Sequence, residues 1–291
     1  MQVIIHCGAH GTEEDRLLKT LLRNRSTFAN NATVVPGPGR YRALLRKCLE
    51  ALEQGAFAPE TNGALWDAIL DEETAERVVL SNVNFWGSRR QALKDNVLYP
   101  AAEHRIALTQ NLFPDDDLHI HLTLRNPAAF IPTLLRDAAP ERAHELRHGC
   151  DPRQTRWSDL LIRLRSSAPT VPITVWCYED LPFIWASILR HIGGLPEGTR
   201  LQGGLDVLAS VMSREGMRRL RAYLKVHDTI SEPHKRRVYA AFLDKYAEDD
   251  ALEEELDVPE WSEVLIEEAT QRYEDDLQLI STLDGVTLIA P

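Results

Sequence analysis

Arg125 and Thr133, eight residues apart in LRNPAAFIPTLLRD, form the most specific chemical pairing in the chain. An apolar run that reads as a strand delivers Arg125, Pro127 suits the first turn of a helix, and Thr133 falls inside that helix. A guanidinium fork and a hydroxyl placed this way can clamp one phosphate by charge-assisted hydrogen bonds, each worth roughly 1.5–3 kcal/mol net. An arginine capping a strand end, with a threonine on a buried helix face, is the plainer alternative. A second stretch, IIHCGAHGTEEDRLL over 4–18, runs a short apolar strand through Gly8 and Gly11 into a helix. That is how backbone N–H groups come to point at an anion. A Walker loop, however, needs Gly-Lys-Ser/Thr five residues beyond its first glycine. Here Glu13 stands there, followed by Glu14 and Asp15. VVPGPGRYR lacks the third glycine of a dinucleotide fingerprint and reads as a turn that starts a helix from Tyr41.

Other groups suggest metal chemistry. Residues 144–148 read HELRH, so His144 and His148 would share a helix face with Glu145 beside them, as a zinc protease requires. Arg147 and the stop at Gly149-Cys150-Asp151-Pro152 oppose that reading, and no metal is expected. His119 and His121 alternate along a strand after Asp115, Asp116 and Asp117. They stand at the strand's amino end, where this architecture does not bind ligands, so a turn and polar strand residues are expected. Lys235, Arg236 and Arg237 form a basic cluster that either touches an anion or pairs with nearby glutamates.

These groups need a scaffold, and the chain's 291 residues are enough for one large domain. Apolar runs at 2–6, 32–36, 77–82, 118–125, 173–178 and 286–290 alternate with amphipathic stretches. Several runs are apolar on both faces, which predicts a parallel sheet between two helix layers: an α/β, three-layer fold. The expected organisation is one domain over 1–291, a helical lid insertion over 138–170, and a mainly helical part over 205–285. Composition adds limits. A net charge of −11 disfavours a sequence-independent nucleic-acid binder, and no run is long enough to span a membrane. Four scattered cysteines and no leader segment suggest free thiols in a cytoplasmic, reducing setting.

The chain resembles the P-loop-like sulfotransferases, in particular their bacterial branch, which use 3′-phosphoadenosine-5′-phosphosulfate. RNPAAFIPT fits that family's second signature, a strand followed by Arg-Asn/Asp-Pro with Ser or Thr eight residues after the arginine. The resemblance implies 3′-phosphate roles for Arg125 and Thr133, and a 5′-phosphosulfate loop around Gly8, Gly11 and Thr12 whose backbone N–H groups over 8–12 face the ligand. It extends through VVLSNVNFWGSRRQAL, WCYEDLP and the closing QRYEDDLQLISTLDGVTLIAP. The family's loop lysine is Gly11 here, its central glycine is Glu13, and its two hydroxyls are Glu14 and Asp15. Where relatives carry a glutamate after the third long strand, this chain has Val83. His10 is then a candidate base, and Arg16 and Lys19 are candidate replacements for the lost cation, with a structural histidine and a solvent-facing helix as alternatives. Two functions follow. One is sulfuryl transfer to a small-molecule or glycan acceptor of unknown identity; the other is an inactive fold kept for binding or interaction. The oligomeric state is not legible.

Overall fold

Six short strands pair in parallel because most are apolar on both faces and each is separated from the next by helix. The computed structural model describes residues 1–13, 15–56, 61–71, 74–136, 138–248, 258 and 261–291. Its strands in chain order are β1 (Gln2–His6), β2 (Thr33–Val34), β3 (Arg77–Ser81), β4 (Leu93–Lys94), β5 (Val97–Leu98), β6 (Asp117–Leu124), β7 (Ile173–Cys177) and β8 (Val286–Ile289). The main sheet runs β2-β3-β1-β6-β7-β8 with every pairing parallel, and β4-β5 is a separate antiparallel hairpin. The chain fills one side of β1 first and then crosses to β6. The strand order therefore reverses between β1 and β6, and the crevice of such a sheet opens there, at the carboxyl ends of the strands.

The helices are α1 (Asp15–Arg23), α2 (Arg25–Ala29), α3 (Pro38–Glu53), α4 (Thr61–Leu70), α5 (Ala102–Leu112), α6 (Pro127–Leu135), α7 (Pro140–Gly149), α8 (Trp157–Ser167), α9 (Leu181–Ile192), α10 (Asp206–Ser210), α11 (Arg214–Val226), α12 (Glu232–Tyr246) and α13 (Glu263–Ile280). Side chains alternate across the sheet and define two cores. Val3, Ile5, Val78, Leu80, Ile120, Leu122 and Val175 face α3, α5 and α8. Ile4, Val79 and Trp176 face α1 and α9 through Leu17, Leu18, Leu21, Ile184, Trp185 and Ile188. Helices thus cover both faces of the sheet, as a three-layer α/β fold requires. A third, smaller core of Leu208, Met212, Met217, Leu220 and Tyr239 joins α10, α11 and α12.

The strands expected from the sequence all form, each within a few residues of its predicted limits, and 205–285 contains four helices among the described residues, ahead of β8. The segment expected as a lid, 138–170, consists of α7 and α8. Of these, α8 is a core element: Trp157, Leu160, Leu161 and Leu164 are fully buried against the sheet layer. Its first turn is held from the far end of the chain. Asp276 on α13 accepts the N–H groups of Trp157 (2.8 Å) and Ser158 (3.1 Å) and the Ser158 hydroxyl. An acid there satisfies orphan helix donors and suits the helix dipole. The four cysteines are free and buried. Among the described residues, no helix is long and apolar enough to cross a membrane. Residues 249–257, 259 and 260 lie outside the described residues.

Asp276→Ala leaves two buried amides and a hydroxyl without an acceptor. A loss of about 1–3 kcal/mol in urea-unfolding stability is expected, and an unchanged midpoint would refute this clamp.

Candidate functional site

The crevice between β1 and β6 is filled from within. Strand register sets His6 beside Ser81 on β3 and beside His121 on β6, so their side chains emerge on one face. Thr123 lies two residues further along β6 on that face and pairs with Trp176 of β7. The His6 ring stacks on Trp176 at 5.8 Å with 12° between planes. Its Nδ1 lies 2.9 Å from Ser81 Oγ and its Nε2 lies 2.8 Å from Glu13 Oε1. The Thr123 hydroxyl donates to the same carboxylate oxygen. Glu13 itself is only 5 % exposed, so the loop after β1 folds its own acid down into the strand ends.

Burial opposes ionisation of this carboxyl. The hydrogen bond and charge of His6, the Thr123 hydroxyl and the backbone N–H of Glu13 together outweigh burial and hold its pKa below the usual range. The second oxygen, Oε2, is buried with no hydrogen-bond partner among the described residues. Serine, histidine and glutamate are therefore linked as in a nucleophilic triad, but Ser81 is 2 % exposed and closed off from substrate. The linkage is a structural network.

The loop above is bound down along its length. Thr123 N–H donates to the Gly8 carbonyl (2.6 Å), and Ala9 N–H donates to the Thr123 carbonyl (3.2 Å). His10 N–H donates to the Tyr99 hydroxyl (3.1 Å). Two of the amides expected to face a ligand, those of Ala9 and His10, are thus engaged. The Thr12 hydroxyl caps the Ala9 carbonyl at 2.6 Å. His10 is buried: Nδ1 sits 3.0 Å from the Tyr99 hydroxyl and Nε2 sits 3.1 Å from Asn84 Oδ1. This arrangement suits a neutral ring that receives the Tyr99 proton at Nδ1 and donates from Nε2. Burial pushes the Tyr99 phenol well above its ordinary range.

Arg125 and Thr133 do meet this loop. The Arg125 guanidinium donates to the Gly11 carbonyl and lies over the Tyr178 ring at 4.6 Å. The Thr133 hydroxyl donates to Ala129, one turn back on its own helix, at 2.9 Å. Gly11 has φ +69°, and a Cβ there would run into Thr133 and approach Arg125. Asn126 caps α6 through Ala128 N–H (3.0 Å), while its own N–H donates to Glu179 at 2.7 Å. The Trp157 indole N–H fixes the Arg125 carbonyl at 2.8 Å. Arg125 and Thr133 are each 5 % exposed, so a phosphate reaches both only if the loop lifts.

The remaining candidates lie elsewhere. Arg16, with Glu13, Asp15, Lys19, Thr20 and Arg23, lines an open cleft of about 790 Å³ along α1. Arg16 donates to Ser210 (3.2 Å), and Asp15 points outward to Arg42 (2.8 Å). Of the three acids in the loop, Glu13 therefore turns in and Asp15 turns out, while Glu14 lies outside the described residues. His144 and His148 do share a helix face, their rings 4.3 Å apart, but Glu145 is held by Arg142 at 2.9 Å. No group of three metal-ligating side chains occurs among the described residues. His119 pairs with Asp117 (2.9 Å) and Lys235 with Glu232 (2.7 Å). His6 had no distinguishing motif. Its signal is a polar residue ending an otherwise apolar buried strand, which obliges it to find a partner.

No protein-family model matches the chain, and no curated protein matches it either.

Two outcomes are expected of this site. Gly11→Ala combines left-handed strain of about 1–2 kcal/mol with the collision against Thr133, and should lower stability by at least that amount. Glu13→Gln should cost about 1.5–3 kcal/mol at neutral pH. Because the folded-state pKa of Glu13 is depressed, its stabilisation is present above the unfolded value near ~4.3 and is lost as pH falls through the folded value. Melting curves of the parent protein should therefore decline more steeply below about pH 5 than those of Glu13→Gln. Parallel declines would show that Glu13 carries no linked proton.

Proposed function

We propose that the chain is a sulfotransferase-like protein kept for binding or interaction rather than for sulfuryl transfer. The single observation that carries this reading is Glu13. In a phosphosulfate cradle, a cation and free amides stabilise charge on the leaving group. Here a resident carboxylate occupies the carboxyl end of the sheet beneath the loop, tied to His6 and Thr123. A second anion placed against it would be repelled in a poorly solvated site. Without a loop lysine, transfer would also lose several kcal/mol of transition-state stabilisation, on the order of a hundredfold or more in rate.

One observation favours the transferase alternative, with 3′-phosphoadenosine-5′-phosphosulfate as co-substrate. Arg125 and Thr133, for which the resemblance implies 3′-phosphate roles, lie together beside Gly11. The two readings part on turnover. The expected result is no release of 3′,5′-adenosine bisphosphate from 3′-phosphoadenosine-5′-phosphosulfate in the presence of phenol, sugar and amine acceptors. Steady release that Arg125→Ala abolishes would overturn the binding reading. Calorimetric titration with 3′,5′-adenosine bisphosphate then asks whether a nucleotide is the ligand. Binding lost in Arg125→Ala would identify it as such, and silence at millimolar ligand would remove nucleotides from both readings.

A further inference from the structure

A second cavity lies between the β4-β5 hairpin and α7. Its larger chamber, about 780 Å³, is lined by residues that include Arg90, Lys94, Pro100, Arg142 and Glu145. A smaller chamber of about 230 Å³ shares Arg90 and Arg142 with it and continues against Leu134, Ala138, Ala139 and Leu146. The larger chamber has an excess of cations over its acids, Asp95 and Glu145, and the smaller one adds Arg89 and Glu141 beside its apolar wall.

The cations are unevenly committed. Arg142 is 7 % exposed: it donates to the Leu93 carbonyl and to Glu145, while its Nε is buried with no partner among the described residues. A buried guanidinium N–H without an acceptor costs free energy. Arg90 and Lys94 are exposed. The hydrogen bond from Arg142, assisted by the charges of Arg142, Arg90 and Lys94, holds the Glu145 carboxyl below its usual range against a smaller opposing effect of desolvation. The larger chamber therefore carries three cations against two carboxylates, Asp95 and Glu145, the second of them already paired with Arg142. In a chain of net charge −11, this local excess does not follow from composition.

We propose that this two-chambered cleft binds an anionic amphiphile, its carboxylate among Arg90, Lys94 and Arg142 and its short apolar tail in the chamber walled by Leu134, Ala138, Ala139 and Leu146. The head gains charge-assisted hydrogen bonds, and each buried methylene of the tail adds about 0.8 kcal/mol. Neither half alone supplies both. The site does not depend on whether the loop after β1 accepts a nucleotide.

Calorimetric titration of the full chain with octanoate tests it, beside acetate as the head alone and 1-octanol as the tail alone. Octanoate should bind saturably and more tightly than either control. Arg90→Ala/Lys94→Ala, at two exposed positions, should weaken octanoate at least about tenfold, or 1.4 kcal/mol. Ala138→Phe, which fills the smaller chamber, should weaken it as well. Circular dichroism melts confirm that each variant is folded. No saturable heat at millimolar octanoate, an affinity unchanged in the double variant, or 1-octanol binding as tightly as octanoate would each overturn the proposal.

Discussion

A carboxylate buried where parallel strands end is the constraint around which this protein is arranged. Glu13 leaves water to enter the carboxyl ends of the central strands, and an unpaired charge there would not be tolerated. It survives because β1 and β6 present His6 and Thr123 at matched register, and because Ser81 on β3 orients the far nitrogen of the same ring. Three neighbouring strands therefore contribute one group each. The network is polar, but its floor is the aromatic face of Trp176, which excludes solvent and strengthens every bond in it.

Once Glu13 is drawn in, the path of the loop follows. Residues 7–9 extend the ladder along β6, His10 locks onto Tyr99, and Gly11 is pressed against α6. Arg125 meets a backbone carbonyl instead of open solvent. A loop with the turn geometry of an anion site has thus been made to serve as internal packing. Phosphate-binding chemistry needs donors free to face a ligand, and part of this loop's donor set is already satisfied by the protein. Arg125 and Thr133 lie against the same loop at Gly11.

Charge is distributed against the average. The chain is acidic overall, yet cations collect along α1 and again beside the β4-β5 hairpin and α7. Isolated exposed cations carry little information, since long side chains on a helix surface are ordinarily solvated. Arg142 differs because it is buried and incompletely paired beside a cavity. Burial makes each missing hydrogen bond expensive, which separates this side chain from the solvated cations.

The strands were legible because burial on both faces leaves an unbroken apolar run, and the start of α6 was legible because Asn126 and Pro127 are local helix signals. Arg125 follows the end of β6 and Thr133 lies within α6, an order that local geometry fixes. What the loop acids do was not legible. Glu13, Glu14 and Asp15 are chemically alike and adjacent, and nothing local says which one turns inward. The partners that decide it lie far along the chain: Thr123 is 110 residues from Glu13, and Ser81 is 75 residues from His6. Local propensity acts over a few residues, whereas the direction of a buried charge is chosen by whichever distant strands supply donors at its depth. Only the register of β3, β1 and β6 brings those donors together, and that register exists only in the folded sheet.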